Sequence, residues 1–303
     1  MNPARNARHI PVLASEVQAL LHVQPGDTIV DATLDGGGHT ELLLTSVAPN
    51  GRVLGIEQDP DMVGFMNERI KHESGVWKNL IVHHGNFRDI AAIVASHNIH
   101  SITGVLFDLG VSRWHFIESG RGFSFQNPDE PLSMALAKNN AMSAARILNS
   151  SPETELENII RVYGEERRAQ QIAKAIVMFR RKKRLVAVED LLLSLEPVLG
   201  TKRKGKMHPA TKTFQAFRIA VNDELGALRE GLAGTGKILR SGGRLVVISY
   251  HSLEDRIVKQ IFRTWSAQKM GNLLNKKPIT PSREEIFNNP SARSAKLRAI
   301  QKL

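Results

Sequence analysis

The sequence predicts an α/β fold, in which a mostly parallel sheet carries helices on both faces and is interrupted by an all-helical insertion. Short apolar runs alternate with amphipathic stretches over the first third of the chain, and another apolar run follows at residues 243–249. Crossover helices separate the strands of parallel sheets, so this alternation is typical of them. The insertion is predicted because residues from about 120 to 215 show helical periodicity and no convincing strand.

Five apolar runs are predicted to be strands of this sheet. Turn sequences precede two of them, Pro25-Gly26-Asp27 before the first and Pro49-Asn50-Gly51 before the second. Helical patterns at 60–71 and 87–97 lie between strands. The predicted strands are, in chain order, Thr28–Ala32, Arg52–Glu57, Leu80–His84, Gly104–Asp108 and Gly243–Ser249.

The middle of the chain is predicted to be helical. Apolar residues recur at helical spacing from Glu153 to Tyr163, between Pro152 and Gly164, and further helices are predicted at 165–179, 188–195 and about 211–239. The polar, basic tail from about 267 is expected to be loosely ordered in part. We therefore predict a discontinuous sheet domain, residues 1–117 plus 218–303, and an inserted helical domain, residues 118–217.

Composition narrows the class of protein. The formal net charge is +11, with basic clusters at Arg180–Arg184 and Lys202–Lys206, which favours a nucleic-acid partner over a merely solvated surface. The absence of cysteine excludes disulfides, thiolate catalysis and Cys-based metal sites. No apolar run reaches the roughly 18 residues of a membrane span, and the first residues lack the apolar stretch of a secretory signal. We expect a cytoplasmic protein without membrane contact.

A glycine-rich loop follows the first predicted strand. It runs from Asp31 through Asp35-Gly36-Gly37-Gly38 to His39, and Glu57 ends the second strand, where an acid can accept hydrogen bonds from a ribose diol. A dinucleotide-binding loop would have a third glycine at position 41, which is Glu41, and its pyrophosphate would be repelled by the acids. S-adenosylmethionine has no phosphate and carries a sulfonium and an ammonium, so it suits this loop better. A glycine turn without a ligand is the alternative.

Two more strand ends carry candidate catalytic groups. Asp108 ends the fourth strand, where it either caps the next helix or accepts an N–H from an amine to be methylated. Tyr250 and His251 leave the fifth strand and are predicted to face the same crevice, with Ser252 capping the helix that follows. A His at this place is about as often structural as functional.

Ordered motifs run through most of the chain, from residue 9 to about residue 263. They are His9-Ile-Pro-Val-Leu13, Asp31-x-Thr33 with Gly37-Gly38-His39, Asp59-Pro60, Asp108-Leu-Gly-Val-Ser112, Arg121-Gly-Phe-Ser-Phe125, Tyr163-Gly-Glu-Glu-Arg167, His208-Pro-Ala-Thr-Lys-Thr-Phe-Gln215, Arg218, Val221-Asn222, Glu224-Leu225 and Ser249-Tyr-His-Ser-Leu-Glu-Asp-Arg256. With this ordered set the chain resembles the bacterial 16S ribosomal RNA cytosine-N4 methyltransferase family, also known as MraW.

The resemblance implies a class I S-adenosylmethionine-dependent methyltransferase sheet with an inserted helical domain. It also implies that the chain methylates the N4 amine of a cytosine in the decoding region of 16S rRNA, with the small ribosomal subunit as partner, and we expect the helical domain, residues 118–217, to have a role in RNA recognition. It leaves open whether the protein is a monomer or a homodimer. Catalytic roles are predicted for Asp108, His251 and Tyr250 from their positions at strand ends, and no metal is expected because the His and acidic residues are scattered in the sequence. The implied cofactor-binding positions are Gly37, Gly38, His39, Glu57, Phe87, Asp108 and His115.

The chain departs from the family pattern at several places. Asp35 stands for a glycine and Glu57 for an aspartate, while Arg113-Trp114-His115 replaces Ser-Pro-Gln and Ser133, Ala135 and Ala137 replace charged residues. An RNA-binding assembly factor without chemistry is therefore an alternative. A nicotinamide-dependent oxidoreductase and a DNA amino-methyltransferase fit less well. The first lacks its third glycine, and the second lacks its Asn/Asp-Pro-Pro-Tyr/Phe motif after the fourth strand.

Overall fold

A computed structural model describes residues 10–73, 75–137, 141–200 and 208–303. The predicted basic cluster at Lys202–Lys206 and the start of the first motif lie outside these ranges. Seven strands form one sheet in the described chain. They are β1 Thr28–Asp31, β2 Arg52–Glu57, β3 Leu80–His84, β4 Ile102–Asp108, β5 Leu239–Ser249, β6 Gly271–Leu273 and β7 Lys296–Lys302.

The strand order is β3-β2-β1-β4-β5-β7-β6, with β1 to β5 parallel and β7 antiparallel to both of its neighbours. The predicted α/β class is therefore confirmed. The central strands are buried on both faces, which explains their continuous apolar sequences. In β4, Val105 and Phe107 pack into the core on one face of the sheet, while Leu106 packs on the other.

The helices that cover the sheet come from both ends of the chain. Asp59 caps α3 by accepting a hydrogen bond from the Asp61 amide, with Pro60 in the first turn, as is typical of helix starts. None of the described helices is long and apolar enough to cross a membrane. These helices are α1 Ala14–Leu21, α2 Gly38–Val47, α3 Pro60–His72, α4 Ile90–Ser96, α11 Glu224–Ile238, α12 Ser252–Ala267 and α13 Arg283–Asn288.

The helices between Arg113 and Asn222 form a core of their own. Apolar residues of α7, α8, α9 and α10 are buried in it, including Leu156, Ile172, Leu191 and Phe217. The only pairing of strand type described there is an isolated bridge between Pro131 and Ala187. The helices are α5 Arg113–Ile117, α6 Ala144–Ser150, α7 Glu153–Gly164, α8 Ala169–Arg180, α9 Val188–Leu199 and α10 Thr211–Asn222.

The chain divides into two compact units. The sheet unit comprises Met1–Ser112 and Leu225–Leu303, and the helical unit comprises Arg113–Glu224. The chain thus leaves the sheet after β4 and returns to it through α11 and β5.

Two sequence-based expectations were wrong. The tail beyond 267 is ordered, because Leu297, Ala299 and Ile300 of β7 are buried against β5. The helix predicted over about 211–239 is two helices, since Asp223 takes a left-handed conformation (φ 47°) between α10 and α11. Neither Gly nor Pro marks that break in the sequence.

Candidate active site

The carboxyl ends of five parallel strands meet at one edge of the sheet unit. Asp31 ends β1, Glu57 ends β2 and Asp108 ends β4, while Tyr250 follows β5. Ligand crevices of open α/β sheets form at this edge, so the predicted acids lie where a ligand would bind.

The glycine-rich loop joins β1 to α2 and is anchored at both ends. Asp31 is buried, and its carboxylate accepts hydrogen bonds from the Thr40 hydroxyl (2.6 Å) and the Thr33 amide (3.1 Å). Burial raises the pKa of Asp31. Gly37 precedes α2 with φ 76°, a left-handed conformation that favours glycine. The loop is therefore a fixed feature of the fold.

Arg69 supports this loop from α3, and its sequence context gave no signal for the role. Its guanidinium donates to the Gly36 carbonyl (3.2 Å) and to the Glu41 carboxylate (2.9 Å). It also lies 3.9 Å from the ring of Trp77, within cation–π range. A buried Arg with several partners holds the backbone around it in one geometry.

Glu57 is tied to the loop by backbone hydrogen bonds. Its Oε2 accepts from the Asp35 amide (2.9 Å) and its Oε1 from the Asp59 amide (2.7 Å). Burial, and secondly the nearby Asp35 carboxylate, raise the pKa of Glu57 to about 8. Each carboxylate oxygen has a second lone pair, so Glu57 can still accept hydrogen bonds from a ligand.

Asp108, Tyr250 and His39 lie together. The Tyr250 hydroxyl donates to Asp108 Oδ1 at 2.7 Å, and His39 Nε2 lies 3.5 Å from Asp108 Oδ2. Burial, and secondly the Asp108 carboxylate, raise the pKa of Tyr250 well above its ordinary value, so the hydroxyl keeps its proton at neutral pH. The arrangement presents a carboxylate acceptor whose orientation is fixed by a neighbouring donor.

Thr33 joins this group to the glycine-rich loop, because its hydroxyl accepts a hydrogen bond from the Asp108 amide (2.7 Å). The chain then turns at Gly110, whose φ of 106° is open to glycine and strained for other residues. The Asp-Leu-Gly motif thus follows from the backbone path after β4.

His251 lies at the start of α12 and acts there as the helix cap. Its Nδ1 accepts from the Glu254 amide (3.4 Å), while Glu254 accepts from the Tyr250 amide (2.8 Å) and the His251 amide (3.2 Å). The cap is therefore His251 and not Ser252, which is the first residue of the helix. The pattern was misread because Ser is the more usual cap. A catalytic role for His251 stays a prediction.

The two remaining predicted residues lie in different surroundings. Phe87 is partly buried and packs edge-to-face on Phe107, with ring centroids 5.4 Å apart, in the core of the sheet unit. His115 is buried in the helical unit, with its ring edge-on to Trp114 (5.2 Å) and Phe123 (5.4 Å). Their roles in cofactor binding stay predictions.

In the helical unit, the side chains of Arg121 and Asn222 hydrogen-bond to main-chain atoms of the segment that departs from the family pattern. Arg121 donates to the carbonyls of Ala135 (3.2 Å) and Leu136 (2.9 Å). Asn222 donates to the Met134 carbonyl (2.8 Å) and accepts from the Leu136 amide (2.9 Å). These bonds use main-chain atoms, so the conformation does not depend on charged side chains at 133, 135 and 137.

The basic cluster after α8 divides into two kinds of residue. Arg180 donates to the carbonyls of Leu148 and Ser151 (both 2.8 Å), and Lys183 pairs with buried Asp190 at 2.7 Å. The side chains of the other three residues are exposed; they are Arg181, Lys182 and Arg184. Those three are therefore the part of the cluster that is open to a polyanion.

Comparisons with known proteins cover nearly the whole chain. The model of the MraW methylase family matches residues 6–303. Two relatives named ribosomal RNA small subunit methyltransferase H are each 44% identical. The one from Coprothermobacter proteolyticus aligns over 294 residues (97% of this chain, 96% of the relative), and the one from Persephonella marina over 296 residues (97% and 99%). A solved rRNA methylase from Streptococcus thermophilus is 12% identical to this chain. Its TM-score is 0.43, and the alignment covers 95% of each chain.

Proposed function

The chain belongs to the MraW methylase family, and from that membership we propose that it methylates the N4 amine of a cytosine in the decoding region of 16S rRNA. The methyl donor is S-adenosylmethionine. The observation that carries the proposal is the group formed by Asp108, Tyr250 and His39 at the carboxyl edge of the sheet. Its partner is the small ribosomal subunit or its RNA, and its place of action is the cytoplasm.

The residues at this edge fit the methyl donor. S-adenosylmethionine supplies an electrophilic methyl group on a positively charged sulfur and leaves as a neutral thioether. The acids Asp31, Glu57 and Asp108 suit a ligand with cationic groups and no phosphate. Asp35 Oδ1 is buried without a hydrogen-bond donor among the described residues, which a cationic or donating ligand would correct. In this proposal Gly37, Gly38, His39, Glu57, Phe87 and His115 contribute to binding the donor.

Asp108 is the proposed catalytic residue. An exocyclic base amine is a poor nucleophile because its lone pair is conjugated with the ring. The Asp108 carboxylate accepts one N–H of the amine, which favours a pyramidal nitrogen whose lone pair can attack the methyl group. The nitrogen then loses a proton, which the same carboxylate receives and passes to solvent. Tyr250 is the positioning residue, because its hydroxyl donates to Oδ1 of Asp108 and so fixes the orientation of the carboxylate.

RNA binding is assigned to the helical unit in this proposal. The exposed side chains of Arg181, Lys182 and Arg184 would contact phosphates, and the target cytosine would be presented unstacked from its neighbours. A second candidate is an rRNA-binding assembly factor that has lost the chemistry, suggested by the uncharged residues 133, 135 and 137. The intact group around Asp108 favours the enzyme.

The test is methyl transfer to small ribosomal subunits that lack the modification, followed by mass-spectrometric mapping of the 16S rRNA. We expect one methyl group on one cytosine N4 with the wild-type protein. For Asp108→Asn we expect kcat to fall by about 100-fold or more, because the amide is a weaker acceptor. Asp89→Asn, at an exposed carboxylate before α4, is the matched control and should be unaffected. Tight RNA binding without any transfer by the wild type would overturn the enzyme proposal in favour of the assembly factor.

A further inference from the structure

Asp35 is an unusual residue for the glycine-rich loop. Its φ is 42°, in the left-handed region that residues other than Gly, Asn and Asp rarely adopt. Its amide donates to Glu57, but the side chain takes no part in capping α2, whose cap residue is Gly37. The backbone position therefore explains a glycine better than it explains an aspartate.

In the described part of the chain, the Asp35 carboxylate lies near other acidic groups. Its negative charge acts on Asp31, on Glu57 and on Tyr250, three groups that stand at the ends of three different strands. Within the described residues no ion pair involves Asp35, and its Oδ1 is buried with no hydrogen-bond donor. A buried carboxylate oxygen without a donor is unfavourable in the protein alone, because it has given up its hydrogen bonds to water and gained none in return.

A bound group that supplies positive charge would make this arrangement favourable. The methyl donor carries one positive charge on sulfur that the demethylated product lacks, and the two molecules are otherwise alike. We propose that Asp35 is a specificity-determining residue, whose carboxylate makes the site prefer S-adenosylmethionine to its neutral-sulfur product, S-adenosylhomocysteine. The inference rests on the proposed function, because it assumes that this site binds the methyl donor.

The positive charge on sulfur determines the direction of the effect. A carboxylate in a poorly solvated site attracts a cation strongly and interacts weakly with a neutral thioether of the same shape. The upward shift in the pKa of Glu57, to which Asp35 contributes, indicates that charge is poorly screened at this edge. Product release after each methyl transfer would be favoured for the same reason.

The test measures the affinities of S-adenosylmethionine and S-adenosylhomocysteine by calorimetry and takes their ratio. Sinefungin, a donor analogue with an ammonium near the position of the sulfonium methyl, is the third probe. For Asp35→Asn we expect the preference for the donor over the product to fall by about 5- to 30-fold, with sinefungin following the donor. Intact mass spectrometry confirms that the introduced amide, which precedes Gly36, has not hydrolysed back to a carboxylate.

Two further variants separate charge from backbone conformation. Asp35→Gly removes the carboxylate and also suits the positive φ, so it should lose the preference to the same extent as Asp35→Asn while folding normally. Asp89→Asn removes an exposed carboxylate elsewhere in the sheet unit and should keep the wild-type ratio. An unchanged ratio in Asp35→Asn, with the donor still bound, overturns the role of Asp35 alone. Failure of the wild type to bind the donor overturns the proposed function instead.

Discussion

At the scale of single residues, Glu57 shows how the fold sets the chemistry of one carboxyl group. Two backbone amides point at its oxygens, yet burial and Asp35 outweigh them and raise its pKa to about 8. In the free protein Glu57 is therefore largely protonated at neutral pH. A ribose diol donates hydrogen bonds and so favours the ionised carboxylate.

We predict that the affinity for S-adenosylmethionine rises with pH up to about pH 8 and then levels off. Below the pKa of Glu57 in the free protein, binding must displace its proton, which costs up to about tenfold in affinity per pH unit. The same raised pKa has the opposite effect on the folded protein without ligand. Because the folded state holds this proton more tightly than the unfolded state, the free energy of unfolding falls as pH rises from about 5 to 8.

Calorimetry and thermal unfolding between about pH 5.5 and 9 check both trends. The amino group of the methyl donor itself titrates near pH 8, so the wild type is compared with Glu57→Gln, which lacks the carboxyl but meets the same ligand. The difference between the two proteins isolates Glu57. Identical pH profiles would refute a titrating Glu57 in the site.

Some residues of the candidate site were predictable from the sequence because they lie at the ends of strands, and others were not. Glu57, Asp108 and Tyr250 were identifiable because apolar runs end next to them, and the structure places all three at the sheet edge. Arg69 was not, because it lies 33 residues from Gly36, whose carbonyl it contacts. The role of Glu254 beside the cap was not, because Ser252 is the more usual cap residue and was assigned that role. His251 was assigned to catalysis, whereas its visible contacts are those of a cap.

At the scale of elements, β7 is the least predictable part of the sheet. Lys296, Arg298 and Lys302 surround its apolar residues, so the segment resembles a basic tail in sequence. Six residue pairs nevertheless join it antiparallel to β5, from Arg244 with Gln301 to Ser249 with Lys296. Arg298 is accommodated by pairing with Asp255 of α12 at 2.6 Å. Tertiary contact, and not local composition, makes this segment a strand.

The two leucines of the C-terminal segment provide a matched test of that strand. Leu297 is fully buried between the sheet and its helices, whereas Leu303 is 53% exposed. We predict that Leu297→Ala lowers the free energy of unfolding by about 2–5 kcal/mol, as expected for deleting buried methyl groups. Leu303→Ala should change it by less than about 0.5 kcal/mol.

Urea unfolding followed by circular dichroism gives both values. Equal effects of the two substitutions would mean that β7 is not part of the stable sheet.

In contrast to β7, the strands β1 to β5 were predictable to within a few residues, because burial on both faces requires uninterrupted apolar runs.

At the scale of the whole molecule, the net charge of +11 predicts salt-dependent binding to RNA. We predict that replacing Arg181, Lys182 and Arg184 together with Gln weakens RNA binding. The slope of log affinity against log salt should become smaller by about 2–3, since each phosphate contact contributes roughly 0.7–0.9. Arg180 and Lys183 are left in place because their contacts stabilise the helical unit.

Fluorescence anisotropy with a labelled 16S rRNA fragment, over a range of salt concentrations, measures the slope. The control replaces Lys276 and Lys277, two exposed lysines of the sheet unit, with Gln. A loss of slope per charge removed that is the same in both variants would indicate a general charge effect and not an interface on the helical unit. The sequence revealed the cluster, but only the structure distinguished its exposed members from those with structural contacts.

The discontinuous sheet unit has a consequence for how the protein is made. Asp108 and the tyrosine that fixes its carboxylate are 142 residues apart in the chain. At cellular rates of translation, about 5–20 residues per second, synthesis of the intervening segment takes on the order of 10 s. During that time β4 lacks the partner that later covers its open edge, and unpaired edges of this kind are prone to aggregate. An rRNA methyltransferase of this design therefore exposes the edge of a strand while it is itself still attached to a ribosome.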